Sequence, residues 1–249
     1  MTEERITSRK NPLLQQVRRL LSSAREREQA GLFAADGTKL LAEAVRYFPG
    51  LRTVILADGV EAELPEHVRC VRVPADVMGS ISPMAAPQGA LFLCELPERK
   101  DFEPVPGMLL LDGIQDPGNL GTILRTADAF RVPAVIMEGC ADPYSAKTVR
   151  ASMGAVFRTP VIEADWQTVC EKCAAAQIPI AAAALRQDAR NIRELPVGQM
   201  AVVVGSEGRG VRREILDRCG SLIIPMAPHC ESLNAAAAAA VIMWQMGKV

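Results

Sequence analysis

Ala201-Val202-Val203-Val204 runs directly into Gly205-Ser206-Glu207-Gly208-Arg209-Gly210, and the reading of that junction decides the fold. Four apolar residues rich in β-branched side chains read as a strand covered on both faces, the hallmark of a parallel sheet. The glycine-rich tail ends the strand. A short charged segment leads to a second apolar run, Leu222-Ile223-Ile224, which stops at Pro225-Met226. A loop through Pro228 and His229 then reaches Ser232-Leu233-Asn234 and the alanines 235–240. Alanine is the strongest helix former and its small side chain permits close packing, so this run predicts a tightly packed helix. In open parallel sheets, ligands bind at the carboxyl ends of the strands. Glycine also lets a backbone approach a ligand closely. The two loops are therefore the expected ligand site.

Upstream, the same alternation continues. A strand at Met108–Leu111 runs into Asp112-Gly113-Ile114-Gln115-Asp116-Pro117-Gly118-Asn119, and a helix is expected from Leu120 to Ala129. Strands follow at Ala134–Met137, Val161–Ile162 and Ile178–Ala184, with helices at Ala146–Ser152 and Trp166–Ala176 between them. The stretch Pro97–Pro106 is polar and proline-rich and reads as a linker. It divides the chain into residues 1–98, a linker at 99–106 and residues 107–249. The first part is also α/β. Leu13, Leu14, Val17, Leu20 and Leu21 fall on one face of a helix expected over Pro12–Gln29. A strand around Leu32–Ala34, a helix at Thr38–Tyr47 and strands at Arg52–Leu56, Val68–Val73 and Ala90–Cys94 follow. Arg5, Arg9, Lys10, Arg18, Arg19, Arg25 and Arg27 make this end locally basic. That pattern fits either a solvated helix face or an RNA-facing one.

Composition sets the bounds. The chain has 249 residues, 49% hydrophobic, with 28 basic against 29 acidic side chains and a net charge of -1. This is the balance of a soluble globular protein, and a local basic face would still suffice to bind nucleic acid. Met1-Thr2-Glu3-Glu4-Arg5 lacks the apolar core of a signal peptide, and no apolar run approaches a membrane span. Seven cysteines form no scaffold pattern, which predicts a reducing, cytoplasmic setting.

Several chemistries are excluded or demoted. There is no Gly-x-x-x-x-Gly-Lys-Ser/Thr loop and no Gly-x-Gly-x-x-Gly after the first strand of either part. Cys170 and Cys173 form a lone C-x-x-C on an expected helix, and without a second pair they read as partly buried thiols before they read as zinc or redox ligands. His67 and His229 are the two histidines, and neither lies in a nucleophile-elbow context.

Three blocks remain. In Asp116-Pro117-Gly118-Asn119-Leu120-Gly121-Thr122-Ile123-Leu124-Arg125, Asn119 is placed to cap a helix and Arg125 to follow on its surface. Gly205-Ser206-Glu207-Gly208 is by itself a strand-to-helix turn. Ile224-Pro225-Met226 with Ser232-Leu233-Asn234 is by itself a capped helix. Their order and spacing together are specific.

That combination resembles the SpoU/TrmH family of RNA ribose 2'-O-methyltransferases, within the SPOUT superfamily. The resemblance rests on Asn119, Gly121 and Arg125, then Gly205, Glu207 and Gly208, then Ile224–Met226 and Ser232–Asn234. It extends over Met108 to the carboxyl terminus, with Lys147–Ala155 similar to the family's stretch between the first two blocks. The alanines after Asn234 stand where members often carry Val and Ser. The amino-terminal part is similar to the small substrate-binding domain, like that of certain RNA-binding ribosomal proteins, found in many members. The resemblance implies a parallel sheet with a deep trefoil knot, S-adenosyl-L-methionine as cofactor without a metal, an rRNA or tRNA substrate, and a homodimer with active sites near its interface. It further implies cofactor contacts from Ala184, Leu185, Gly205, Gly208, Ile224, Met226 and Leu233. Catalytic roles fall to Arg125, Asn119, Glu207, Ser232 and Asn234.

Overall fold

The protein is described here by a computed structural model covering residues 4–98, 100–230 and 232–247. Along the chain come β1 (Glu4–Arg5), α1 (Pro12–Ser22), α2 (Ala24–Ala30), β2 (Leu32–Asp36), α3 (Thr38–Tyr47), β3 (Leu51–Ala57), β4 (Arg69–Val73), α4 (Ala75–Ile81) and β5 (Ala90–Glu95). Then follow β6 (Met108–Asp112), α5 (Pro117–Phe130), β7 (Ala134–Ile136), α6 (Ala146–Ala151), α7 (Ala155–Arg158), β8 (Ile162–Glu163) and α8 (Trp166–Ala175). The chain closes with β9 (Ile180–Ala183), β10 (Arg190–Asn191), β11 (Ala201–Gly205), α9 (Arg213–Leu216), β12 (Gly220–Ile223) and α10 (Ala235–Met246). The residues form two compact units. The segment Tyr144–Arg158 groups with the amino-terminal unit, although its neighbours in sequence belong to the other.

In the first unit the sheet order is β1-β4-β3-β5-β2. β1, β4 and β3 are parallel, and β5 runs against both its neighbours. Side chains alternate between faces along a strand. One face carries Ala34, Ile55, Val71, Leu91 and Leu93, which pack with Leu14, Val17 and Leu20 of α1 and with Val77, Met78 and Ile81 of α4. On the other pleat, Phe33 lies 5.0 Å from Tyr144 and 6.2 Å from Phe157 between ring centroids, and Phe92 lies 6.0 Å from Phe157. Arg150 pairs with buried Asp36 at 2.7 Å, and Arg158 pairs with Glu43. The α6–α7 segment thus completes the core of this unit.

The single helix expected over Pro12–Gln29 is two. Ser23 has extended backbone (φ -134, ψ 121); its N–H donates to Arg19 O, and its hydroxyl accepts from Glu26 N. A serine that bonds to nearby backbone competes with helix continuation, so one helix ends where the next is capped. The basic end is largely self-neutralised. Arg5 pairs with Asp58 at 2.6 Å, Arg9 with Asp76 at 2.6 Å and Arg19 with Glu26 at 3.2 Å. Arg27 is buried and donates to Leu20 O, and Arg18 donates to the Ser80 hydroxyl at 3.1 Å. Arg25 is exposed with no carboxylate partner among the described residues.

The second unit holds a seven-stranded sheet ordered β10-β12-β9-β11-β6-β7-β8, with every pairing parallel. Its central strands β6 and β11 are apolar but for Asp112 at the end of β6, and buried but for Gly205 at the end of β11, as strands covered on both faces must be. β11 lies between β6 and β9, which precede it in the chain. α10 packs against α5, and its buried Ala235, Ala236 and Ala239 present small side chains on the covered face.

Candidate active site

Parallel pairing brings the carboxyl ends of the strands to one side. Gly205 lies opposite Asp112 in the β11–β6 register, and β9 and β12 end nearby at Ala183 and Ile223. The loops beyond them enclose a cavity of about 390 Å³. Ala184, Leu185, Gly205, Ile224, Met226 and Leu233 line it, as do Glu207 and Ser232. Gly208 does not. Leu185 is 60% exposed and Leu233 39%. Both are large apolar side chains standing at a cavity wall, the arrangement a partly apolar ligand covers.

Gly205 is required by the loop itself. A Cβ there would lie 2.3 Å from Gly210 C and 2.3 Å from Val211 N. Ser206 and Gly210 bridge in both directions, at 3.2 and 2.9 Å, so the chain folds back on the glycine. Gly205 thus allows close approach of its own chain and also lines the cavity. A Cβ at Gly208 would meet nothing within 4 Å. The loop is then fastened by Arg212. Its backbone N–H and Nε reach the two oxygens of Asp112 at 2.8 and 2.6 Å, and the guanidinium also holds Glu138 at 2.8 Å and Glu214 at 3.0 Å. Asp112 is 1% exposed, so the pair is part-buried. Desolvation pulls the Glu138 carboxyl upward, but backbone N–H groups and Arg212 outweigh it and leave it below the usual carboxylate range. Desolvation similarly opposes the Arg212 charge, and Asp112 and Glu138 more than restore it.

The first block departs from its simplest reading. Asp116 caps α5, accepting from Asn119 N at 2.9 Å, and Pro117 occupies the first turn. The helix therefore begins three residues before Leu120, and Asn119 is inside it with its side chain released from capping. That amide donates from Nδ2 to Glu207 and accepts at Oδ1 from Asn234 Nδ2 at 3.1 Å. Asn234 is itself oriented, because its Oδ1 accepts from Ala236 N at 2.9 Å and Ala237 N at 3.2 Å as the cap of α10. An ionised carboxylate only accepts, so the polarity of the whole chain is set from the helix terminus to Glu207. The three blocks thus meet in Asn119, Glu207 and Asn234. Arg125 stands apart on an exposed face of α5, with no hydrogen bond or ion pair among the described residues, and it does not line the cavity.

Asp112, Arg212, Glu138 and Asp116 were not singled out by their residue types. An acidic residue closing an otherwise apolar strand was the available signal for Asp112. Cys170 and Cys173 lie on α8 without a metal-binding cluster among the described residues, and burial pushes Cys173 up to about 11. No helix among the described residues is long and apolar enough to cross a membrane.

Residues 106–244 match the model of the SpoU rRNA Methylase family, and residues 11–91 match the MRM3-like substrate binding domain. The chain is 31% identical over 249 residues to the 23S rRNA (guanosine(2553)-2'-O)-methyltransferase RlmP of Bacillus subtilis, covering 98% of this chain and 99% of that one. An AdoMet-bound rRNA methyltransferase from Sinorhizobium meliloti superposes with a TM-score of 0.85 at 27% identity, over 98% of this chain and 97% of the other. A structure of an RNA 2'-O ribose methyltransferase gives 0.80 at 27% identity, over 97% of each. The three sequence blocks, the parallel sheet that assembles them and the match over more than half the chain lead to one assignment: this protein belongs to the SpoU rRNA methylase family.

Proposed function

We propose that this protein methylates a ribose 2'-hydroxyl of ribosomal RNA, using S-adenosyl-L-methionine held in the cavity at the ends of β9, β11 and β12. The observation that carries the reading is the fixed chain Asn234–Asn119–Glu207 beside a cavity walled by Leu185 and Leu233. The cavity fits the cofactor in kind: apolar side chains suit a nucleoside and backbone loops suit its polar edges. The cofactor supplies an activated methyl group when bound. Gly205, Ile224, Met226 and Leu233 hold it, with Ala184 and Leu185 as the facing wall.

The protein's task is alignment and proton handling. Glu207 uses one oxygen on Asn119, and we assign its other oxygen to accept the 2'-hydroxyl proton. Asn119 and Asn234 keep that carboxylate in one orientation, and Ser232 orders the ribose at the cavity wall. A guanidinium is a poor base because it stays protonated at ordinary pH. We therefore assign Arg125 to clamp an RNA phosphate and stabilise the developing alkoxide. Ribosomal RNA is preferred to tRNA because the full-length relative acts on 23S rRNA. Mapping ribose methylation in rRNA from cells with and without the protein tests this. Loss of one 2'-O-methyl mark supports the reading; an unchanged rRNA map with a lost tRNA mark favours the tRNA alternative.

The reading extends to assembly and place. β11 enters between two earlier strands, as a trefoil-knotted chain would; an experimental trace of residues 205–234 tests the knot. Val241 and Trp244 are exposed on α10, Trp244 by 70%, on the helix that packs with α5. We assign this face to a homodimer that brings Arg125 near a partner site. Sedimentation of Trp244→Ala should give monomer where the parent gives dimer, and a monomeric parent rules the assignment out. The amino-terminal unit would bind RNA, and seven free thiols suit a cytoplasmic enzyme. Fractionation of cells tests that location.

A further inference from the structure

Beside the cavity, across the Ser206–Val211 loop, lies a groove of about 640 Å³ lined by Gly113, Gln115, Gly139, Arg209 and Gly210 among others. Three of its lining residues carry no side chain: Gly113, Gly139 and Gly210 have φ of 65, 78 and 67°, left-handed conformations that favour glycine. The acidic side chains around it are already engaged. Arg212 takes Asp112, Glu138 and Glu214, and Arg213 takes Asp217 at 3.0 Å. Arg209 is left exposed, with no side-chain partner among the described residues. Its backbone is nevertheless fixed, since its N–H donates to the Ser206 hydroxyl at 3.2 Å inside the bridged turn. Arg209 lines both the cavity and the groove.

We infer that Arg209 and this groove form an RNA-backbone subsite, in which the guanidinium holds the phosphodiester next to the target ribose. The inference rests on the proposed methylation of RNA at Glu207. A ribose cannot reach Glu207 unless the flanking nucleotides have a path, and the groove beside the loop offers one. Arg209 is two residues from Glu207, at most about 7 Å along an extended chain, the reach needed to hold a phosphate beside the ribose that Glu207 faces. A guanidinium presents a planar fork to two phosphate oxygens. Arg212 cannot serve, because its donors are occupied by carboxylates.

The test uses the full-length protein, in-vitro-transcribed 23S rRNA and S-adenosylmethionine. RNA affinity is measured against salt concentration, and cofactor affinity by calorimetry, for the parent, Arg209→Gln and Arg209→Lys. Arg209→Gln should weaken RNA binding about tenfold near 0.1 M salt and lower the salt slope by about one. Cofactor affinity should stay within about twofold, and Arg209→Lys should recover the slope because the charge returns. Weakened cofactor binding with unchanged RNA binding would overturn the subsite and assign Arg209 to the cofactor's carboxylate. No change in either affinity would also overturn it. Failure of the parent protein to methylate any rRNA or tRNA ribose would instead count against the proposed reaction, while the binding slope still reads out Arg209.

Discussion

The side-chain amide of Asn119 donates to the carboxylate of Glu207, joining residues 88 positions apart. If the pair acts as one device, removing either half removes its function. Glu207→Ala and Asn119→Ala should each lower kcat by about 10²–10³, the range for a lost proton acceptor or fixed electrostatic partner. The double variant should lose little more than the worse single one, because residues acting as a unit are not additive. Steady-state kinetics of the four proteins checks this, and fully multiplicative losses would separate the two roles.

Gly205 and Gly208 should respond oppositely to alanine. At Gly205 the new Cβ meets backbone at 2.3 Å, and neither neighbour is a flexible side-chain end that can swing away. Gly205→Ala should cost about 1–3 kcal/mol by overpacking and abolish cofactor binding with the loop. Gly208→Ala meets open space and should stay within about 0.5 kcal/mol. Thermal unfolding with calorimetry distinguishes them, and equal tolerance at both sites would refute the loop-closure account.

The linker before Pro104 suggests a carboxyl-terminal unit that folds by itself, yet Tyr144–Arg158 belongs to the other unit. A fragment starting near Pro104 should therefore expose Tyr144 and Phe157, whose ring partners Phe33, Phe48 and Phe92 would be gone. It should bind a hydrophobic dye and aggregate above the parent's level. A monodisperse fragment that binds no dye would show that the segment is self-sufficient.

The strand-rich centre of the second unit was legible because Met108–Leu111 and Ala201–Val204 are continuous apolar runs that only a doubly covered parallel strand explains. Both site loops were legible for the same reason, since they begin where the apolar runs Ala201–Val204 and Leu222–Ile224 stop. The break at Ser23 was not, because Leu20 and Leu21 continue a helical stripe up to it and a serine's capping bond is a local choice without periodicity. Nor was the role of Asn119. Asp116 and Asn119 are equally good caps by type, and geometry decides which is used. The lodging of Tyr144–Arg158 with the first unit rests on contacts far away in sequence, 114 positions between Asp36 and Arg150, which no local pattern encodes.

The cysteines should be chemically quiet where they are buried. Desolvation raises Cys140, Cys173 and Cys219 to about 11. At pH 8 about one in a thousand of such thiols is ionised, and the thiolate is the nucleophile. Iodoacetamide should label exposed Cys230 well before these three, as read by mass spectrometry of the intact and digested protein. Early labelling of Cys173 would reopen the redox reading of Cys170 and Cys173.

The central claim is ribose methylation with Arg125 acting on RNA and not on the cofactor. The most direct measurement is tritium transfer from labelled S-adenosylmethionine to rRNA, with the product tested for an alkali-resistant ribose linkage, beside calorimetric cofactor binding. The parent should place label on a 2'-oxygen. Arg125→Ala should lose transfer by about 10²-fold or more while cofactor affinity is nearly unchanged, and Arg125→Lys should also be poor because lysine lacks the planar fork. A 2'-deoxy target should accept no label. Label on a base, transfer to the deoxy target, or near-parental turnover by Arg125→Ala would contradict the account.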